Sequence, residues 1–215
     1  MKAAFESLPF LVDGLLVTLQ ITAIVVLISL VIGVAMGVAL TYGSAWIRWP
    51  VRIYSDFIRG IPVLVLIFFA YYGLPAMGLN LDSFTAAVVA LTAFKISHVI
   101  ETTRGAIQSI HHGQMEAAKA IGLPFWQRLF SVIFPQAVRR FLPPWINTVA
   151  DAAKGSALVS LIGVVDLMLA MQKVIGRTFE PMPIYIAGAI IYFLINYSLS
   201  TTSRRMESRF SYIRE

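Results

Sequence analysis

The sequence predicts an all-α membrane protein, a bundle of five transmembrane helices built as a single domain over residues 1–215. Hydrophobic residues make up 58% of the chain and charged residues only 13%, whereas about a quarter of the residues of a soluble domain are charged. The mean hydropathy is +0.78. Cysteine is absent, so the sequence carries no signal of a redox compartment.

Five apolar runs are each long enough, allowing for tilt, to cross a hydrocarbon core that takes about 20 helical residues. They cover residues 15–41, 61–77, 84–107, 141–165 and 184–199. The first run is too long for a signal-peptide core and has no basic flank beyond Lys2, which indicates an uncleaved span. Between the last two runs, the segment 166–179 is expected to form a short helix at the outer face.

Lysine and arginine are distributed unevenly between the two sides of this bundle. Three lie on the side of the amino terminus: Lys2, Lys173 and Arg177. Twelve lie on the other side: Arg48, Arg52, Arg59, Arg104, Lys119, Arg128, Arg139, Arg140, Arg204, Arg205, Arg209 and Arg214. Because basic residues concentrate in cytoplasmic loops, the amino terminus is predicted outside and the carboxyl terminus in the cytoplasm. The net charge of +6 is then a topology signal rather than a sign of nucleic-acid binding.

Small residues and helix-stop residues indicate packed helices. Gly33 and Gly37 in the first span form a GxxxG pattern, which lets two helix backbones approach closely in lipid. The second span opens on Arg-Gly-Ile-Pro at 59–62, with proline expected in the first turn, where a missing N–H costs little. Gly73, Pro75 and Gly78 are expected to end that span.

Residues 113–137 are polar and rich in small side chains, so they cannot form a span. Glu116-Ala117-Ala118-Lys119-Ala120-Ile121 has high helix propensity, with Glu116 expected in the first turn. Gly122 and Pro124 should interrupt that helix, and a second amphipathic piece at 125–130 should end before Pro135. The pattern predicts two short helices joined by a bend at the cytoplasmic face. On the residues alone they either receive another protein or fold over their own bundle.

This stretch resembles the EAA loop of permease subunits of ATP-binding-cassette importers. The family pattern is E-A-A, three residues, G, nine residues, I, any residue, L-P. The glutamate, both alanines, Gly122 and Pro135 stand in register, with Val132 and Phe134 replacing the isoleucine and the leucine. The loop so identified covers residues 111–137.

The resemblance extends over nearly the whole chain, to permeases of the polar amino-acid family (histidine, glutamine, arginine, cystine and opine types). Its motifs are matched by TLQIT at 18–22, RGIPVLV at 59–65, ETTRGAIQSI at 101–110 and LPPWIN at 142–147 followed by Lys154. The Asp-Thr-Ser-Leu that often follows this lysine in the family is replaced here by Gly-Ser-Ala-Leu at 155–158, which leaves the substrate open.

The resemblance implies a five-span permease of the type I importer kind in the bacterial cytoplasmic (inner) membrane. Its partners would be two ABC ATPase subunits, a second permease subunit (identical or homologous) and an external solute-binding protein, and its substrate a polar amino acid or a derivative. ATP would bind to the partner subunits and no cofactor to this chain, which has no phosphate-binding P-loop sequence. Contacts with the ATPase would come from Glu116, Ala117, Ala118, Lys119, Gly122 and Leu123.

Polar residues inside the third and fourth spans are candidates for the substrate path, because charges at mid-span usually face a partner or a wet cavity. Helical spacing places two sets of three on one face each: Lys95, His98 and Glu101, then Asn147, Asp151 and Lys154. Asp151 or Glu101 would meet an ammonium group and Lys95 or Lys154 a carboxylate. The alternative is internal pairing, Asp151 with Lys154 and His98 with Glu101.

Two other classes of function remain open from the residues alone. A channel-forming protein would account for the charged spans but gives residues 113–137 no role. An intramembrane enzyme requires a nucleophile beside a base, and the sequence offers no catalytic pair: Gly155 and Gly163 do not frame Ser160 as an elbow. A metal site is not expected either, because His98 with Glu101 and the pair His111-His112 lack further ligands at useful spacing.

Overall fold

The computed structural model describes residues 7–210, and these residues form helices with no strand among them, which confirms the all-α class. Lys2 and Arg214, used in the charge count, lie outside the described residues. In chain order the helices are α1 (Leu8–Tyr42), α2 (Ala45–Gly60), α3 (Val63–Ala76), α4 (Ser83–Gln108), α5 (His112–Ala120), α6 (Phe125–Ile162), α7 (Leu167–Thr178) and α8 (Pro181–Phe210).

By length and composition, three helices of the described part are able to cross a membrane alone: α1, α4 and α8. Two pairs reach that criterion only together, α2 with α3 across a bend of 103° and α6 with α7 across a bend of 51°. The described residues therefore provide three spans, or five if each bent pair counts as one. The helices run past the predicted limits of the first and last spans, since α1 already begins at Leu8 and α8 extends to Phe210.

Residues 45–60, which lie between the first two predicted spans, form a helix that the apolar runs do not predict. Ala45–Gly60 is amphipathic: Val51 and Ser55 are buried, while its other faces carry exposed arginine and aromatic side chains. The Tyr54 hydroxyl donates to the carbonyl of Ala93 at 2.7 Å, which fixes α2 against α4. After this helix, Pro62 is the residue before α3 rather than a member of its first turn.

Helix α6 is continuous through Pro135, and the expectation of a separate cytoplasmic helix ending before this proline is wrong. The α-helical start at Phe125–Gln127 passes into a π-helical stretch, Arg128–Ile133, and then into Phe134–Gly155 and a 3₁₀ end, Ser156–Ile162. Proline removes a backbone donor and crowds the preceding turn, and in this helix the preceding turn is the π-helical stretch. The second half of the polar loop, from Phe125 onward, and the fourth span thus form one rod.

The centre of the bundle is the pair α1 and α4, which run parallel. Ideal Cβ atoms built at Gly33 and Gly37 would lie 2.6 Å from the Cβ atoms of Val99 and Thr103, respectively. The close approach predicted from the GxxxG pattern is therefore confirmed, with α4 as the partner. At its start, α4 is capped by Asp82, which accepts hydrogen bonds from the N–H groups of Phe84 and Thr85. Hydrogen bonding from Thr85 holds the pKa of the Asp82 carboxyl below its usual value.

Helix directions follow from the remaining contacts. Phe141 of α6 packs in one cluster with Val99 and Ala106 of α4, whereas Val159, near the end of α6, packs with Ile21 of α1. Helix α6 is therefore antiparallel to α1 and α4. Helix α8 starts beside Leu11 and later donates from Ser203 to the carbonyl of Pro143, so it runs parallel to α1. Helices α1, α4 and α8 end, and helix α6 begins, at the same end of the bundle. We call it the basic end, because Arg104, Arg128 and Arg140 lie there.

We expect Gly37→Ala to destabilise the bundle, because the new methyl group would meet Thr103 Cβ at 2.6 Å and the carbonyl oxygen of Ile100 at 2.9 Å. Overpacking of this kind costs roughly 1–3 kcal/mol. Gly105→Ala is the matched control: Gly105 is exposed on α4 with no atom within 4 Å of its built Cβ. Alanine should stabilise the helix there by roughly 0.5–1 kcal/mol. Thermal unfolding in detergent would show opposite signs for the two variants, and equal shifts would contradict the packing argument.

Candidate functional site

The polar loop begins with helix α5, which lies at the basic end. Met115 of α5 packs on a cluster that contains Ile107 at the end of α4 and Leu129 at the start of α6. Ala118 also faces inward and is 4% exposed. The short helix therefore packs against the ends of both long helices.

The turn that ends α5 depends on Gly122. Its φ of +78° lies in the left-handed region, which glycine adopts without the steric cost borne by other residues. The N–H of Gly122 donates to the carbonyl of Lys119 at 3.0 Å and the N–H of Leu123 to that of Ala118 at 3.1 Å. This pattern is the one by which a glycine satisfies the last carbonyls of a helix, so the bend predicted at Gly122 is confirmed.

The outer surface of α5 is formed by Glu116, Ala117 and Lys119, all exposed. Glu116 is the fifth residue of the helix, so its expected place in the first turn is wrong. The cap is His111, whose Nδ1 accepts a hydrogen bond from the N–H of Gly113 at 3.1 Å. No hydrogen bond or ion pair involves Glu116 within residues 7–210. Of the six predicted contact residues, Ala118 is buried and Leu123 half-buried, while Glu116, Ala117, Lys119 and Gly122 are open to a partner.

The second candidate site lies between α4 and α6, where the structure brings Lys95 and Asp151 together. Lys95 Nζ donates to Asp151 Oδ2 at 2.8 Å, and Lys154 Nζ lies 3.8 Å from Asp151 Oδ1. The Lys95 side chain is 3% exposed, whereas those of Asp151 and Lys154 are 61% and 59% exposed. The carboxylate thus bridges a buried cation and an open one. Asn147, four residues before Asp151, is also exposed.

His98 and Glu101, expected to share the face of Lys95, have other partners. Glu101 pairs with Arg104, Oε2 to Nη2, at 2.6 Å and accepts from the Ser55 hydroxyl of α2 at 3.4 Å. The His98 ring contacts that of Phe94, and its Nδ1 lies 3.0 Å from the Phe94 carbonyl oxygen. Internal pairing therefore occurs between Asp151 and Lys154, but His98 does not pair with Glu101, whose charge is balanced by Arg104.

Sequence reasoning missed Asp166 as a buried polar residue. Its side chain is fully buried, and its Oδ1 caps α7 by accepting from the N–H of Leu169 at 2.9 Å. The N–H of Leu167 donates to the Thr18 hydroxyl of α1 at 3.1 Å. An aspartate directly before an apolar helical run is an N-cap signal, so the pattern was readable. Its burial depends on the docking of α7 against α1, which local sequence does not specify.

No group of three or more histidine, aspartate and glutamate side chains suited to a metal ion occurs in the part of the chain that the structure describes. The residues described above instead form two separate polar regions. One is a helix surface at the end of the bundle with no internal partner, and the other is a charged cluster between two long helices. A helix surface of this kind suits contact with another protein, and the cluster suits a solute that carries charges of both signs.

Comparison with known proteins identifies the chain's relatives. A family described as "Binding-protein-dependent transport system inner membrane component" matches residues 29–212. The probable amino-acid ABC transporter permease protein YckA of Bacillus subtilis is 34% identical over 211 residues, 98% of this chain and 93% of that protein. The glutamine transport system permease protein GlnP of Escherichia coli K12 is 38% identical over 211 residues, 97% of this chain and 96% of that protein.

A solved structure described as "Crystal structure of an amino acid ABC transporter with histidines" aligns with a TM-score of 0.89 at 32% identity, covering 95% of this chain and 96% of that one. The resemblance drawn from the EAA loop is therefore confirmed, and the relatives are transport proteins rather than enzymes. The chain belongs to the family of binding-protein-dependent transport system inner membrane components, as an ABC transporter permease.

Proposed function

We propose that this chain is the permease subunit of an importer that moves a polar amino acid, or a derivative of one, across the bacterial inner membrane, driven by ATP hydrolysis on separate subunits. The observation that carries the proposal is α5. This polar helix sits at the basic end with Glu116, Ala117 and Lys119 turned outward and without internal partners for Glu116 in the described chain. A small-residue surface between charged side chains suits insertion into a cleft of another protein.

Coupling would proceed through α6. Met115 of α5 packs beside Leu129 in the first turns of that helix, and Asp151 lies on the same rod, roughly 33 Å further along at about 1.5 Å per residue. Closure of two ATPases against α5 would therefore move α6 as a rigid body. The charged cluster at Lys95 and Asp151 would shift with it, since α4 and α6 are joined there by an ion pair.

The substrate path would be lined by Lys95, His98, Glu101, Asn147, Asp151 and Lys154. Among these, the structure favours Lys154 for a solute carboxylate, because its side chain is 59% exposed and its Nζ lies 3.8 Å from Asp151 Oδ1. For a solute ammonium it favours Asp151, which is 61% exposed, over Glu101, which is already paired with Arg104. The buried ammonium of Lys95 then holds the Asp151 carboxylate in place.

A second permease subunit, identical or homologous, is part of this proposal. The exposed pair of Asp151 and Lys154 would be costly against lipid, at about 2.5–3.5 kcal/mol for each charge at mid-span. A partner permease facing Asn147, Asp151 and Lys154 would convert that surface into one side of a wet passage. The remaining components are two ABC ATPase subunits that bind the ATP and an external solute-binding protein.

The proposed orientation places the basic end in the cytoplasm, with the amino terminus outside and the carboxyl terminus inside. The parallel course of α1, α4 and α8 and the antiparallel course of α6 support it, because they bring Arg104, Arg128 and Arg140 to one end of the bundle. The Arg140 guanidinium donates to the carbonyl of Ser109, which joins the ends of α4 and α6 there. Excess basic charge marks the cytoplasmic side of a membrane protein.

The test is reconstitution of the chain in proteoliposomes with its ATPase and solute-binding protein. We expect an amino acid bound to the solute-binding protein to stimulate ATP hydrolysis and to accumulate inside the vesicles. A matched control population of vesicles, in which the ATPase faces outward, should accumulate it only at background level. Omitting the ATPase should abolish uptake. Uptake that persists without ATP, or an ion conductance in the chain alone, would overturn the importer and favour the channel.

A further inference from the structure

A basic cleft lies at the junction of α1, α2 and α4, away from both regions described above. It has a volume of about 440 Å³ and is lined by three guanidinium groups, those of Arg48, Arg52 and Arg104, together with the Gln108 amide and the Trp49 ring. No carboxylate is among its lining residues. Three positively charged side chains in a cleft whose lining holds no carboxylate suit the binding of an anion.

Two of the three cations are available to bind one. Arg48 and Arg52 lie one turn apart on α2, both exposed, and neither forms an ion pair with any residue of the described part of the chain. Arg104 is held in position by Glu101 at 2.6 Å and by the Gln108 side-chain oxygen at 2.8 Å. The cleft therefore keeps a net positive charge, with one guanidinium preorganised at its wall. Guanidinium groups bind phosphate by paired charge-assisted hydrogen bonds.

The helix that supplies two of these arginines also carries an exposed apolar stripe. Trp46, Trp49, Ile53 and Phe57 follow each other at helical spacing and are 90%, 68%, 57% and 65% exposed. On the opposite side, Val51 and Ser55 are buried against the bundle. Tryptophan and arginine on an amphipathic helix are typical of the membrane interface, where the rings lie at the headgroup level.

We propose that Arg48 and Arg52, beside the guanidinium of Arg104, bind the phosphate of an anionic phospholipid, whose acyl chains lie along the stripe of Trp46, Trp49, Ile53 and Phe57. The stripe argues for a lipid rather than a free phosphate, because only a lipid fills both the basic cleft and the apolar surface beside it. Basic pockets between helices near the membrane surface are known to bind anionic headgroups. The site does not depend on the transport function proposed above.

The experiment measures binding of dioleoyl phosphatidylglycerol to the purified chain of 215 residues in detergent, by native mass spectrometry. We expect the double variant Arg48→Gln/Arg52→Gln to bind the lipid roughly thirtyfold more weakly than the wild type. This ratio of dissociation constants corresponds to a loss of about 1 kcal/mol of binding free energy for each arginine. The matched control is Arg139→Gln/Arg205→Gln, which removes the same charge from exposed positions outside the cleft and should bind like the wild type. Unchanged thermal midpoints would show that all variants are folded.

Four outcomes would overturn the proposal. Wild-type affinity in the cleft variant would exclude these arginines, and an equal loss in the control would indicate diffuse attraction by net charge. Equally tight binding of dioleoyl phosphatidylcholine would indicate an apolar groove without anion recognition. Displacement of the lipid by millimolar inorganic phosphate would indicate a site for free phosphate.

Discussion

Glu116→Ala is expected to lower substrate-stimulated ATP hydrolysis and uptake in the reconstituted transporter at least tenfold, without changing the folding of the permease. The Glu116 side chain is exposed and has no partner within residues 7–210, so its removal costs the isolated chain little. In a complex with the ATPase, the same carboxylate would be desolvated and paired. Loss of such a central contact typically costs about 2 kcal/mol or more. Parallel assays of hydrolysis, uptake and thermal unfolding would separate the two effects.

Two further variants sharpen this test. Gln172→Ala removes an exposed polar side chain from α7, far from the basic end, and should leave transport unchanged. Gly122→Val should also uncouple the transporter, since a β-branched residue is poorly tolerated at a φ of +78°, whereas Gly122→Asn should retain coupling because asparagine tolerates that conformation. Full transport by Glu116→Ala would refute the role of α5, and equal loss in Gln172→Ala would point to a general defect.

The elements that sequence reasoning located well are those with strong local signals. Helix α4 covers 83–108 where the apolar run predicted 84–107, because an aspartate cap precedes it and apolar residues persist throughout. The helix α5 and the bend at Gly122 were also predicted from the sequence, since small helix-forming residues, a glycine and a proline follow one another. In both cases the local preference and the tertiary environment agree.

The elements that it missed depend on contacts between distant segments. Helix α2 is not predicted, because charged residues interrupt its apolar residues, yet Val51 and Ser55 are buried against α4. Pro135 predicts a helix end, but the helix continues through it after the π-helical stretch. In the polar cluster, spacing placed Lys95 and Asp151 each on a helix face, and only the packing of α4 on α6 showed that they pair with each other.

Asp151→Asn is expected to destabilise the permease far more than Lys95→Met, although the two residues form one ion pair. Lys95 is 3% exposed, so loss of its carboxylate partner leaves a buried ammonium uncompensated, at a cost of about 3 kcal/mol. Asp151 is 61% exposed and retains Lys154 at 3.8 Å, so loss of Lys95 should cost less than about 1.5 kcal/mol when a methionine of similar shape takes its place. In thermal unfolding in detergent, Asp151→Asn should lower the midpoint by roughly 6–12 °C, and Lys95→Met should lower it by less than about 6 °C.

The double variant Lys95→Met/Asp151→Asn distinguishes folding from transport at this site. It removes the buried charge together with its partner, so its stability should lie close to that of Lys95→Met rather than at the sum of the two losses. Uptake should nevertheless stay low in the double variant, because the proposed contact of Asp151 with a solute ammonium is gone. Recovery of both stability and uptake would show that the pair only holds α4 to α6. Additive destabilisation would instead show that the two side chains are not coupled and would refute the reason given for the asymmetry.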